Sequence, residues 1–523
     1  MPSDSSRPAR EKPVFRAGAA SLVVDPPLGL PMSGVVLRDQ LAETRIGSLE
    51  VSAAAFESGT STRVVICGVD TLAIQSPEVD ELRQRVAVAT GADPAAVLLN
   101  WNHTHHAPPG GRSVYGSFGE SNPEPNDLTL AYVEYLHARV VEVCRLACDS
   151  LEPAWLRWGL GNVDESINRR ERGPDGMVVF GWNPDGMVDQ SVPVLQSLRE
   201  DGSAIATVVS YGCHTVTTGL GFIGYSPDYP GPLREVVRSV THGECVFLQG
   251  AGGNIMPRVA FDESGESMER LGRRIGLEAL HAVTGQPGWP AELRETRFRS
   301  GTEARIFRWQ PVEKDAPELA ACEAVLEFPL LALPTPDEIV SMRERAEAEI
   351  VAAMEKGATE SDLRILRFHG LNWVRRAEAE ILSGSPRRSV QGSVHAIRIG
   401  DGAIVTGPGE IFTEIGMAVK ERSPADVTLY AGYTNGCISY FPTAQEYPLG
   451  GYEPTYGNKT YGLPAQVVPE CEQLLIETAV RLVCSLFPER QTPRPEGWLA
   501  TGALPTPPDS WRPSRPALAV AAS

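Results

Sequence analysis

Six short apolar runs, rich in β-branched residues and bounded by turn residues, limit what this chain can fold into. They are RVVICGVD (63–70), AVLLNW (96–101), AIATVVSY (204–211), CVFLQ (245–249), SVHAIRI (393–399) and AIVTG (403–407). Each has the length of a strand and is too short for a helix of ordinary size. Between them lie patterns of helical period: Tyr132, Leu136, Val140, Val143 and Ala147 share one face, as do Leu475, Ala479, Leu482, Val483 and Leu486. The fold class is therefore α/β. Two of the runs are separated only by Gly400-Asp401-Gly402, a hairpin turn, so a mixed β-sheet core with flanking helices is expected rather than a purely parallel one.

The chain has 523 residues, more than one core usually supports, so one large domain with long insertions or two domains would fit. Its 50 glycines and 43 prolines favour many turns and long loops over a helical bundle. Residues 1–14 and 489–523 are Pro-rich and pattern-poor and read as tails, which leaves 15–488 as the folded unit. Within it, about 336–382 reads as a helical insertion whose alternating charges mark solvated faces. No internal repeat and no glycine-rich phosphate loop is visible.

A net charge of −19 works against nucleic acid and anionic membrane surfaces as partners and leaves a small-molecule substrate as the better fit. No apolar run is long enough to span a membrane, and MPSDSSRPAREKP lacks the apolar stretch of a secretory signal, so a cytoplasmic location is expected. The nine cysteines are odd in number and scattered; Cys67, Cys144, Cys148 and Cys484 sit inside apolar patterns and read as free thiols. Nothing in the sequence encodes an oligomeric state.

The chemistry concentrates in four segments. In LLNWNHTHHAPPGG a strand ends in His103, His105 and His106, three of the nine histidines of the chain. If the segment stays extended, His103 and His105 face one cavity and His106 faces away. Neutral imidazole is the commonest zinc ligand, although hydrogen-bonded loop histidines would show the same pattern. VVSYGCHTVTTG carries a second strand into His214. VTGPGEIF places Glu410 after a turn, where a helix N-terminus would equally favour a carboxylate. NGCISYFPTAQEYPLGGYEPTYG is a tyrosine-bearing loop.

Taken together and in this order, over roughly residues 15–488, the segments resemble the neutral, non-lysosomal ceramidase family. NHTHHAP is similar to the family's THTHSGP, which implies His103 as a zinc ligand and His105 as the substrate-side histidine. The resemblance further implies His214, Glu410 of PGE, and Tyr440 of SYFPTAQEYPLGGYE as the other ligands of one Zn2+ per chain. Tyr452 takes the place of a tyrosine that contacts the scissile carbonyl, and Arg169, in ESINRRERG, that of an active-site arginine. FRAGAASLVVDPP and SPDYPG also resemble family segments.

One departure matters chemically. Where the family has Q-x-x-x-GD-x-SP, this chain has QGAGGNIMP: Asn254 stands for the aspartate and Met256 for the serine implicated in attack on the amide. A thioether is no nucleophile, so an acyl-enzyme route through this position is closed. Asn254 and Met256 are expected instead to line the substrate site with Arg169 and Tyr452. Zinc with an open position lowers the pKa of a bound water from 15.7 to about 7 and needs no serine. The expectation is a zinc-dependent hydrolase of a carboxamide, with His105, Tyr452 and Arg169 catalytic. An ester or lactone hydrolase, a metal-dependent lyase or isomerase, and a non-catalytic metal-binding homologue are the alternatives. SVYGSFGESNPEPNDL (113–128), which directly follows the His103 motif, could be a lid or only a solvated connection.

Overall fold

The computed structural model describes residues 15–490 apart from 36, 37, 39, 60, 61, 113–125, 286–290, 297–305 and 312–314. The expected N-terminal tail, all but two residues of the C-terminal one and most of the segment 113–128 lie outside the described residues.

Three mixed sheets are built on one plan: an antiparallel hairpin, a helix, then a strand parallel to the hairpin's second strand. In the first sheet these are Glu50–Ser58 and Thr62–Val69, helix Glu78–Thr90 and strand Val97–Trp101. In the second they are Ser191–Leu198 and Ala204–Tyr211, helix Pro230–Thr241 and strand Glu244–Gln249. In the third they are Ser389–Ile399 and Gly402–Thr406, helix Thr413–Arg422 and strand Thr428–Ala431. Strands Phe15–Val23, Trp155–Asn162 and Leu319–Pro329 extend the three sheets by antiparallel pairing. The plan therefore recurs where no residue repeat exists, because it requires only alternation and turns, which many sequences satisfy.

Period-two alternation explains why the strand runs are apolar throughout. Ile66 and Leu98 of the first sheet, Val208 and Val246 of the second, and Ile397, Ile404 and Leu429 of the third meet in one central core. Their neighbours in sequence point the other way, under helices. Val65, Cys67 and Leu99 pack with Leu136, Val140 and Val143 of helix Asp127–Asp149. Val209 and Phe247 pack with Leu233, Leu271 and Ile275. Strands buried on both faces lose the polar half of their pattern. Burying one such Ile or Leu side chain contributes about 1.5–3 kcal/mol.

The same topology decides where a site can form. Asn100, fully buried, joins the C-terminal ends of all three crossover strands. Its Nδ2 donates to the carbonyls of Gln249 (3.3 Å) and Gly432 (2.8 Å) and to Thr434 Oγ1 (2.9 Å), and its Oδ1 accepts from Gln249 N (2.7 Å). The loops that leave those ends converge, which is the usual location of ligand sites in α/β sheets.

The stretch 336–382 contains helices Pro336–Glu355, Glu360–Ile365 and Trp373–Leu382, with a π-helical turn at Leu366–Asn372. Ile339, Trp373, Val374, Ala377 and Ile381 form a small core of their own. All nine cysteines are free. Among the described residues no helix is long and apolar enough to cross a membrane.

Candidate metal centre

Each sheet delivers its polar residues from loops at strand ends. Strand Val97–Trp101 runs into His103, whose φ of 64° turns the chain sharply. His103 N bonds Thr71 O (3.0 Å), and its Nδ1 lies 2.9 Å from Leu72 O, both in the loop after the neighbouring parallel strand. Strand Ala204–Tyr211 leads to His214, whose N bonds Ile255 O (3.0 Å) and whose Nδ1 lies 2.6 Å from Gly252 O. His105 Nδ1 lies 3.0 Å from Gly34 O. A carbonyl only accepts, so Nδ1 must carry the proton in all three rings, and each Nε2 is left as a lone pair turned inward.

Those lone pairs face one another. The ligand atoms of His103, His105 and His214 all lie within 4.8 Å of one another. From the third sheet, the turn Gly407-Pro408-Gly409 brings Glu410 Oε2 to 3.4 Å from His103 Nε2 and 3.1 Å from His214 Nε2. Glu410 pairs in parallel register with Tyr440, which puts both side chains on one side of that short ladder. His103, His214, Glu410 and Tyr440 are all at most 3% exposed.

Two buried atoms of the centre, His105 Nε2 and His214 Nε2, make no hydrogen bond. Buried imidazole nitrogens are normally satisfied, and three converging lone pairs beside a carboxylate repel unless a cation lies between them. The donor set is imidazole nitrogen with carboxylate oxygen, which suits zinc. Electrostatics point the same way. Burial, with His103 and His214 nearby, holds the His105 pKa well below the ordinary histidine value. Burial and Arg169 bring His214 down to about 4. Burial alone would raise Glu410, but His103 and His214 hold it well below the usual carboxylate range. Burial thus favours the neutral imidazole at His105 and His214, the state that binds metal.

Around this centre is a cavity of about 30 Å³ among the described residues, enough for a water or two. His103, His105, Glu410, Tyr440 and Tyr452 line it. The Tyr452 hydroxyl lies 3.4 Å from Thr460 Oγ1, and its ring packs at 5.7 Å from that of Tyr440.

Arg169 does not line the cavity. Its Nε donates to Glu453 Oε1 (2.8 Å) and its Nη2 to the Tyr440 hydroxyl (3.3 Å). Asn254 and Met256 also stand outside the lining. Asn254 Oδ1 accepts from Thr413 N (2.9 Å) and its Nδ2 donates to Glu414 (2.9 Å), so this amide secures the start of a helix. Met256 is half-buried opposite Ile167 in strand Ile255–Pro257. The geometry of the histidine loop also differs from an extended one. The positive φ at His103 breaks the strand, and the rings of His103 and His105 meet edge to face at 5.1 Å through a turn. His106 lies away from them, against Phe222, with Nδ1 3.2 Å from Gly224 O.

Other residues of the centre carry no signal that spacing could isolate. Tyr461 donates to Glu410 Oε1 (2.6 Å) and Tyr433 to Oε2 (3.4 Å). The π-helical turn places His369 5.1 Å from the Tyr456 ring and 6.2 Å from that of Tyr452, so the charged helical stretch reaches the site's rim. Only the aromatic richness of 430–461 hinted at the tyrosines.

No family model matches the chain, and no curated protein does. Solved structures do: a neutral ceramidase from Pseudomonas aeruginosa superposes with a TM-score of 0.62 over 92% of this chain and 76% of its own, at 16% identity. A ceramidase complexed with C2 gives 0.63 over 94% and 78%, also at 16% identity. Mixed sheets with flanking helices in the neutral ceramidase arrangement are therefore the fold of this chain.

Proposed function

We propose that this protein is a zinc-dependent hydrolase that cleaves a carboxamide bond of a small-molecule substrate, in a cytoplasmic setting, without a serine nucleophile. One observation carries the proposal: three imidazole rings and a carboxylate converge in one centre, and two of the ring nitrogens are buried without a hydrogen bond. The ligands assigned are His103, His214, Glu410 and Tyr440. Zinc bound there would supply a Lewis acid that polarises the substrate carbonyl and acidifies a water.

The protein's own part is positioning and proton movement. His105 is fastened at Nδ1 to Gly34, and its Nε2 faces the centre from the only ring of the three that is partly exposed, a location suited to taking a proton from water and passing it to the leaving nitrogen. Tyr452, on the cavity wall, would donate to the oxygen that gains charge, a contact worth about 3–4 kcal/mol in acyl transfer. Met256 supplies no nucleophile, consistent with direct attack by water. The fold likeness to ceramidases motivates the choice of an amide over an ester.

The experiment is elemental analysis of purified protein followed by turnover of short N-acyl amides and matched esters, with and without chelator. About one zinc per chain and chelator-sensitive amide cleavage are expected. Chelator-sensitive cleavage of the esters with none of the amides would move the assignment to an esterase or lactonase. A product formed without oxygen from labelled water would make it a lyase or isomerase. Protein that takes up no zinc on reconstitution would end it.

A further inference from the structure

We infer that Glu453 is a positioning residue of the metal centre: by fixing Arg169 it holds the Tyr440 hydroxyl in the place from which that oxygen can bind zinc, and it thereby sets how tightly the centre retains its metal. The inference rests on the zinc assignment above and goes beyond it in naming what orders the oxygen side of the site.

Glu453 is 1% exposed, and both its oxygens are committed. Oε1 accepts from Arg169 Nε at 2.8 Å, and Oε2 from Arg170 Nη1 at 2.5 Å. Held at Nε, the planar guanidinium of Arg169 has one orientation, and in it Nη2 reaches the Tyr440 hydroxyl at 3.3 Å. Arginine can only donate, so the phenolic oxygen accepts there, and its remaining capacity is free for the centre. Arg170 is locked in turn by Glu446 Oε2 (2.6 Å) and Gly450 O (2.7 Å), and Arg172 closes the chain on Glu446 Oε1 (2.9 Å). Two arginines and two glutamates balance in the buried part. Only Arg172, with 45% of its side chain exposed, reaches solvent.

A second contact grips the same tyrosine. Glu453 belongs to helix Tyr452–Thr460, and one turn further on Gly457 lies against the Tyr440 ring, where a β-carbon would come within 2.8 Å of Cδ2. The start of the helix is also tied to the strand that carries Tyr440: Gln466 Nε2 donates to Glu453 O (3.2 Å), and Ser439 Oγ donates to Gln466 Oε1 (3.0 Å). The helix therefore fixes the ring with its glycine and the oxygen with its glutamate. A generic buried ion pair would stabilise the fold without regard to which atom Nη2 meets. This one delivers its spare donor to an assigned ligand, as partners of metal ligands do.

The test is zinc affinity, measured by competition with a chromophoric chelator, together with the visible spectrum of the Co2+-loaded protein. Glu453→Gln is expected to weaken zinc binding by about 10- to 100-fold, to shift the Co2+ spectrum to that of Tyr440→Phe, and to add little when combined with Tyr440→Phe. Arg172→Ala, which opens only the exposed end of the chain, is expected to leave affinity and spectrum unchanged. Because Glu453→Gln leaves two buried guanidiniums sharing a neutral amide, Arg169→Lys is the second variant. Its single ammonium cannot span Glu453 and Tyr440, and the same loss is expected. Wild-type affinity in folded Glu453→Gln or Arg169→Lys, or full additivity with Tyr440→Phe, would overturn the inference while leaving the zinc centre standing. A wild-type protein that binds neither metal would overturn both.

Discussion

The two sides of the centre are held in different ways. On the side built from the first two sheets, His103, His105 and His214 are each oriented by a main-chain carbonyl, those of Leu72, Gly34 and Gly252. On the side built from the third sheet, Glu410 is oriented by the hydroxyls of Tyr461 and Tyr433, and Tyr440 by Arg169 and, through it, Glu453. Any residue carries a carbonyl, but at Gly34, with a φ of 92°, a β-carbon would come within 2.6 Å of His105 Nδ1, so the histidine side depends on the path of its loops. The oxygen side depends on the identity of specific side chains some distance away. The histidine side should therefore break with its loops, and the oxygen side with single hydroxyls.

The largest effect is expected where the sides meet. His214→Ala removes one partner of the 3.1 Å contact between the second and third sheets and Glu410→Gln removes the charge of the other, and each should abolish stoichiometric zinc, seen by elemental mass spectrometry of protein purified without chelator. His105→Ala separates two roles on the histidine side. Retained zinc with lost turnover identifies a proton carrier, whereas lost zinc makes it a third nitrogen ligand, which its distance from the other two rings also permits.

Next in size is the common foundation of both sides. Asn100→Ala deletes the amide that ties the three crossover strands together and leaves Gln249 N and the carbonyls of Gln249 and Gly432 without this partner. With each buried unsatisfied group costing about 1–3 kcal/mol, a loss of roughly 3 kcal/mol in chemical denaturation is expected. The loss should be the same with and without zinc if Asn100 serves the fold, and larger with zinc if it chiefly aligns the loops. Smaller again is Tyr461→Phe, which takes one hydroxyl from Glu410 and should weaken zinc by about 10-fold. An effect on stability with none on zinc would contradict the picture of an oxygen side held by particular hydroxyls.

This asymmetry also explains what the sequence made legible. The six apolar runs became strands because both faces are buried, and the helix faces at Tyr132–Ala147 and Leu475–Val483 became core because their period is regular. Strands such as Phe15–Val23, with Gly18 and several alanines, have too little bulk to announce themselves, and the threefold plan leaves no residue pattern at all. In the site, His103 and His214 stood out because histidine is rare here and each follows a strand. Tyr433, Tyr461 and Glu453 did not, since a partner that acts across the fold has no local spacing to betray it. Asn254, expected at the substrate site from its place in QGAGGNIMP, has its amide committed to Thr413 N and Glu414 at the start of helix Thr413–Arg422.

The smallest effect expected is also confined to the histidine side and concerns acid. His106, one residue from His105, is buried at 1% exposure, and burial together with Arg38 depresses its pKa to about 3. Arg38 Nη1 also donates to His105 O at 2.6 Å, so the same guanidinium steadies the histidine loop and opposes protonation of its neighbour. In the unfolded chain His106 returns to the ordinary value near 6.5. Between that value and about 3 the unfolded state binds the extra proton, so the contribution of His106 to stability is complete above pH 6.5 and is lost as pH falls. The slope is about 1.4 kcal/mol per pH unit. His106→Gln keeps a donor for Gly224 O and does not titrate, so it should destabilise little at pH 7.5 and flatten the fall in stability toward pH 5.5 by about 1.4 kcal/mol. Denaturant midpoints at the two pH values, taken on zinc-free protein, measure this. A fall unchanged by the substitution would place the acid sensitivity in other groups.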